Sequence, residues 1–105
     1  MSRIPRIVAI GYPHHVIQRG NNRQLIFFDD EDRQAYIRLL KKYSDECSCK
    51  VHSYCLMNNH VHLLLTPENV NSLSKTMQKL SLVFTQYANK KYERTGRIWE
   101  CRFHS

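Results

Sequence analysis

The patterned part of the chain opens with His14-His15-Val16-Ile17-Gln18-Arg19, a short run rich in strand formers that stops at the turn signal Gly20-Asn21-Asn22. Leu25 to Phe28 carries the apolar run into the next element. Asp29 or Asp30 then suits a helix N-cap, with Glu31 and Asp32 placed favourably against the helix dipole. Tyr36, Leu40, Tyr43 and Cys47 recur at intervals of four, three and four, which predicts a helix from about Asp30 to Cys47. Val51 to Met57 and His60 to Leu65 read as two strands joined through Asn58-Asn59, a tight-turn pair that predicts an antiparallel hairpin. Thr66-Pro67-Glu68-Asn69 ends it. Asn71 or Ser72 caps a second helix whose stripe is Leu73, Met77, Leu80, Phe84 and Tyr87, while Lys75, Lys79, Gln86 and Lys90 share another side. Arg94-Thr95-Gly96 closes that helix, and Ile98 to Phe103 reads as a last strand.

The order strand, helix, strand, strand, helix, strand predicts an α+β fold of the ferredoxin-like, split βαβ kind (βαββαβ). It would have a four-stranded antiparallel sheet with two helices on one face. The other face is left open, to be covered or used. With 105 residues, no repeat and no linker, the chain reads as a single domain over residues 1–105. No run approaches the ~20 apolar residues of a membrane span. The start Met-Ser-Arg-Ile-Pro-Arg argues against a secretory signal, so the four cysteines read as reduced thiols of a cytoplasmic protein.

Charge sharpens this picture. Sixteen Lys+Arg against nine Asp+Glu give +7, and the surplus sits near both ends. Four arginines and no acid precede Asp29, and seven Lys+Arg face two glutamates after Val70. Such a surface suits a polyanion, nucleic acid being the commonest, although a solvated basic surface has the same composition.

The informative stretch is Tyr54 to Leu65, YCLMNNHVHLLL. In a strand, residues i and i+2 share a face, so His60 and His62 stand together on the open side while Val61, Leu63 and Leu65 point to the helices. Two such imidazoles can each give one nitrogen to a divalent cation. A pair of exposed or structurally hydrogen-bonded histidines has the same spacing.

That stretch resembles the His-hydrophobic-His region of the single-tyrosine (IS200-like) HUH transposases, in particular the REP-associated tyrosine transposase group. The segments PRIVAIGYPHHVIQRGNNR, FFDDEDRQAYIRLL and YANKKYERTGRIWECRF are similar to the same family in the same order, so the likeness spans nearly the whole chain. It implies DNA transposition, with single-stranded hairpin DNA nicked and rejoined through a 5′-phosphotyrosine intermediate, in a prokaryotic, nucleoid-associated setting. It also implies that His60 and His62 hold Mg²⁺ or Mn²⁺ as the catalytic pair, together with a third polar ligand. A homodimer is left open, since some relatives pair their sheets while REP-associated ones can act alone.

Two departures stand out. Asn58 takes the place where the family usually has proline. The family's nucleophilic tyrosine lies on a helix after the last strand, whereas this sequence ends at Arg102-Phe103-His104-Ser105, so the nucleophile is expected to be missing and the chain inactive alone. The tyrosines within it are poor substitutes. Tyr36, Tyr43 and Tyr87 fall on core stripes, Tyr92 is more exposed but on a covering helix, and Tyr54 alternates with His52 and Leu56.

For DNA, Arg19, Asn21 and Arg23 combine a flexible turn with two guanidinium groups. Lys75, Lys79 and Lys90 could follow a backbone, and Lys90, Lys91, Arg94, Arg97 and Arg102 lie near Trp99, a stacking surface or a core residue. One of His14 and His15, which point to opposite faces, neighbours the pair. His104 reads as an ordinary exposed histidine. Cys47-x-Cys49 with Cys55 and His60 has the residue types for zinc but no Cys-x-x-Cys spacing. The rivals are a domesticated or truncated hairpin-binding module without catalysis, and an RNA-binding domain, which would place aromatics rather than histidines on the open face.

Overall fold

The computed structural model describes residues 9–100 and 103. Its elements are β1 (His14–Arg19), a short 3-10 turn (Asn21–Arg23), α1 (Asp30–Glu46), β2 (Cys49–Leu56), β3 (His60–Pro67) and α2 (Ser72–Lys91). The sheet order is β1-β3-β2, and β3 pairs antiparallel with both neighbours. β1 and β2 therefore run parallel with β3 between them.

Among the described residues the sheet has three strands, where the sequence predicted four. Of the expected last strand, Ile98 to Phe103, the described residues show one antiparallel bridge, Gly20 with Trp99, beside the outer edge of β1. Two backbone bonds flank it, Asn21 N to Ile98 O at 2.7 Å and Glu100 N to Arg19 O at 2.8 Å. Arg102 and His104 lie outside the described residues.

The core forms between the helices and one sheet face. Val16, Val61, Leu63 and Leu65 are fully buried, facing Tyr36 and Leu40 of α1 and Leu73, Met77, Leu80 and Phe84 of α2. Each such aliphatic side chain contributes roughly 2 kcal/mol through burial. Trp99 belongs to this core, 6% exposed, so it offers no stacking surface. On α1 the buried face is rotated from the predicted stripe. Asp32, Ala35, Tyr36, Leu40 and Ser44 are buried, while Tyr43 and Cys47 are only half-buried. The reason is that Asp32 is drawn inward by polar partners from α2, which the apolar period cannot register.

At the start of α1 the Asp29 side chain accepts the Asp32 amide at 3.0 Å, the expected cap. Asn71 precedes α2 without a side-chain cap bond. Met57 N donates to His60 O at 2.9 Å, closing the β2–β3 turn over Asn58 and Asn59. Neither asparagine has a positive φ, so the turn does without the left-handed conformation of primed hairpins. Asn58 anchors it: its carbonyl accepts the Ile26 amide at 2.8 Å, and its side chain accepts the Arg33 guanidinium of α1.

Candidate functional site

Strand alternation builds the site. Val61, Leu63 and Leu65 are driven into the core, so His60, His62 and Leu64 must face the other way. Register then brings β1 alongside, with Arg19 opposite His60, Ile17 opposite His62 and His15 opposite Leu64. From the other flank Cys55 of β2 stands opposite His62. The open face thus gathers three imidazoles, a guanidinium and an exposed thiol.

The rings of His60 and His62 lie 4.9 Å apart, nearly perpendicular at 76°. His15 stacks on His62 at 5.1 Å and 19°, with its Nε2 3.0 Å from His62 Nδ1. His60 Nδ1 lies 2.8 Å from Asn59 Oδ1. Burial lowers the His62 pKa, and the neighbouring charges of His60, His15 and Arg19 push it the same way. The neutral imidazole, which is the metal-ligating form, is therefore favoured at this position.

Beside His60 opens a cleft of about 390 Å³ lined by Arg19, Gly20, Arg23, Asn59, His60 and Glu100. The turn that forms one wall is conformationally demanding. Asn22 and Arg23 both have positive φ, 54° and 58°. A Cβ on Gly20 would come within 2.4 Å of the Gln24 carbonyl, so that position requires glycine. The arrangement places two guanidinium groups next to an imidazole pair, which suits a phosphate flanked by a metal ion.

The donor chemistry fits a divalent cation as far as the chain goes. His60 and His62 offer two nitrogens, and among the described residues no group of three or more His, Cys, Asp and Glu side chains is set to hold an ion. The zinc arrangement suggested by the cysteines does not form. Cys49 is buried in the core, Cys47 is half-buried and Cys55 lies exposed on the open face.

The other residues read from sequence as DNA-contacting fall elsewhere. Asn21 stays in the turn, 3.5 Å from Arg97. Arg94 hydrogen-bonds the Gln24 side chain. Lys75 and Lys90 are exposed on α2, which packs against the covered face of the sheet. Lys79 pairs with Glu46 at 2.8 Å. Lys91 lies within 3.1 Å of Asp29, Glu31 and Asp32 carboxylates, which neutralise its charge. No tyrosine reaches the histidines. Tyr36 is fully buried, Tyr43 carries Lys42 over its ring, and Tyr54 is on the face that lines a cleft with α1. Tyr87 and Tyr92 donate to Asp32, and Tyr12 precedes β1 at the end away from His60.

Sequence reasoning placed His60 and His62 but left open which of His14 and His15 joins them. Burial decides it: Val16 and Gln18 are buried, so His15 shares the outward face with Ile17 and Arg19, a choice that alternation alone leaves open because each face carries one β-branched residue. His14 instead bonds the Ala9 carbonyl at 3.1 Å. Asn59 was read only as a turn residue, and nothing local distinguishes its second role.

Proteins of known structure share the fold that carries this site. A REP-associated tyrosine transposase bound to a REP hairpin superposes with a TM-score of 0.76 at 18% identity, over 99% of this chain and 60% of the other. This chain thus spans about three fifths of that protein's length. A crystallised Deinococcus radiodurans protein assigned to the transposases gives a TM-score of 0.71 at 16% identity, over 98% of this chain and 83% of that one. At such identities the likeness is one of fold. No curated protein sequence matches. The family model described as transposase, IS200-like, matches residues 10–105, and the chain belongs to that family.

Proposed function

We propose that the chain provides the metal-binding and phosphate-binding half of a DNA transposition domain that nicks and rejoins single-stranded DNA next to a hairpin. The observation that carries this reading is the meeting of His60 with Arg19 and Arg23 around one cleft, with His62 beside His60 on the uncovered sheet face. One of the solved structures of similar fold holds a REP hairpin, which favours hairpin DNA as the partner.

In this reading His60 and His62 hold Mg²⁺ or Mn²⁺, which when bound supplies Lewis-acid polarisation of the scissile phosphate. Arg19 and Arg23 orient the same phosphate through charge-assisted hydrogen bonds. The attacking hydroxyl comes from a tyrosine other than the six in this sequence, forming a 5′-phosphotyrosine bond and releasing a 3′-hydroxyl. The segment that bridges Gly20 at Trp99 serves as the fourth strand, completing a ferredoxin-like sheet beside β1. No helix among the described residues is long and apolar enough to cross a membrane.

The test is a nicking assay on hairpin DNA with Mn²⁺, using a form that carries a C-terminal tyrosine helix. Joint His60→Ala and His62→Ala substitution lowers cleavage by roughly 10²–10³-fold while hairpin affinity stays within about threefold. Equal loss of binding would assign the histidines a structural role. A hairpin-binding module without cleavage is the second reading, favoured because all six tyrosines of the chain are occupied or distant from the site. It predicts full binding and no nicking in every form tested.

A further inference from the structure

Each candidate ligand has its Nδ1 already engaged. Asn59 Oδ1 is an acceptor only, so the proton shared with His60 at 2.8 Å sits on His60 Nδ1. His60 is therefore the Nδ1–H tautomer with a bare Nε2, although histidine left to itself favours the opposite form. His62 Nδ1 faces His15 Nε2 at 3.0 Å, and the stacked rings hold that contact in register. An imidazole nitrogen can accept or donate. If His15 accepts, His62 also presents a bare Nε2. If His15 donates, His62 carries its proton on Nε2 and cannot ligate through it.

We infer that Asn59 and His15 are positioning residues, holding His60 and His62 as Nδ1–H tautomers so that both Nε2 atoms are free to take one divalent cation. This rests on the reading of the two histidines as ligands, and adds to it the residues that decide whether they can bind. Neither partner touches the ion. Each acts through the ring it holds, as acceptors behind metal-bound histidines generally do. Both lie where substitution leaves the core intact, His15 exposed and Asn59 in the turn.

Long-range proton–nitrogen NMR of the imidazoles, at a pH where they are neutral, reads the tautomers directly. His60 carries its proton on Nδ1 in the metal-free chain, and Asn59→Ala abolishes that preference. The His62 nitrogen signals respond to His15→Leu, and with Mg²⁺ added to the unsubstituted chain His62 is Nδ1–H. Mn²⁺ affinity falls roughly tenfold or more in His15→Leu and in Asn59→Ala. His15→Gln, whose amide oxygen can accept the same proton, restores it to within about threefold. An Nε2–H His60 in the metal-free chain overturns the inference, as does Mn²⁺ affinity indifferent to His15→Leu and Asn59→Ala. Absence of Mn²⁺ uptake in the unsubstituted chain sinks the metal reading itself. The His60 tautomer and the response of His62 to His15→Leu then decide the positioning roles alone.

Discussion

Two polar clusters lie on opposite sides of the sheet, and they differ in how fully their atoms are bonded. On the helix side, the Asp32 carboxylate is buried and accepts from four donors: the Phe28 amide at 2.9 Å, Tyr87 at 2.8 Å, Lys91 at 2.8 Å and Tyr92. On the open side, His60 and His62 use one ring nitrogen each, leaving the other without a partner among the described residues. The first cluster joins the start of α1 to the end of α2 and has no acceptor left for a ligand. The second has spare valence and an adjoining cleft. A saturated polar network fixes a fold, whereas an unsaturated one with a path to solvent keeps donors and acceptors available to a ligand.

The widest separation between them appears when each is removed. The joint histidine substitution, expected to lower nicking by roughly 10²–10³-fold, should change unfolding free energy by less than about 0.5 kcal/mol, since both rings lie on the uncovered face. Asp32→Asn does the reverse. It leaves Lys91 and two tyrosine hydroxyls facing a weaker, neutral acceptor, and costs about 3 kcal/mol in chemical denaturation. If the histidine variant proved as unstable as the aspartate variant, the division between the two sides would fail.

Acid separates them again, by a smaller amount. Burial alone would raise the Asp32 pKa, but the hydrogen bonds from Lys91, Tyr92, the Phe28 amide and Tyr87 outweigh it and hold the group at about 2, below its ordinary 3.8. A carboxyl depressed by folding stabilises above its unfolded pKa and loses that contribution as pH falls through the folded one. Roughly 2 kcal/mol should therefore disappear between about pH 4 and pH 2. The difference between wild type and Asp32→Asn should shrink across that window, as measured by denaturant unfolding at each pH. A difference independent of pH would show that the carboxylate charge is not what joins the helices.

The two clusters were also unequally legible in the sequence. Period-two alternation put Val61, Leu63 and Leu65 inside and so fixed where His60 and His62 point, because the side-chain rule is local. The Asp32 cluster joins residues 55 to 60 positions apart, and no periodicity encodes that. Asp32 was legible only as a dipole partner in the first turn, Tyr92 as a more exposed ring and Lys91 as a DNA contact. Their joint role follows from how α1 and α2 meet. The β-bulge in β2, where the register shifts between Val51 and Ser53, was hidden for a related reason. His52 is the extra residue, and its bond to Thr66 at 2.6 Å is made only once β3 is in place. The three-stranded sheet among the described residues has a simpler origin: an apolar run such as Ile98-Trp99 looks the same whether it forms a ladder or one bridge with core burial.

The basic residues offer a finer contrast. Arg19→Ala and Arg23→Ala, at the histidine cleft, should each weaken hairpin binding several-fold and reduce the salt dependence by about one counterion. Lys75→Ala and Lys90→Ala, on the outward side of α2, should change the affinity less than twofold. Titrations of labelled hairpin DNA at several salt concentrations measure both. Equal losses from the two sets would extend the DNA footprint around the helical face.

The smallest effect concerns Lys79, and it contrasts with Lys91 although both lysines hold carboxylates. Lys79 and Glu46 meet at 2.8 Å with both side chains 47% exposed, so water and salt screen the pair. The Lys79 hydrogen bond holds the Glu46 carboxyl below its ordinary pKa, with its charge acting in the same direction. Lys79→Ala should therefore move the Glu46 titration upward by NMR while leaving the denaturation midpoint unmoved. Lys91→Ala should shift the midpoint, because it strips a donor from a carboxylate that is itself out of water. If Lys79→Ala destabilised the fold as much as Lys91→Ala, burial of the carboxylate would not be what separates a structural ion pair from a surface one in this molecule.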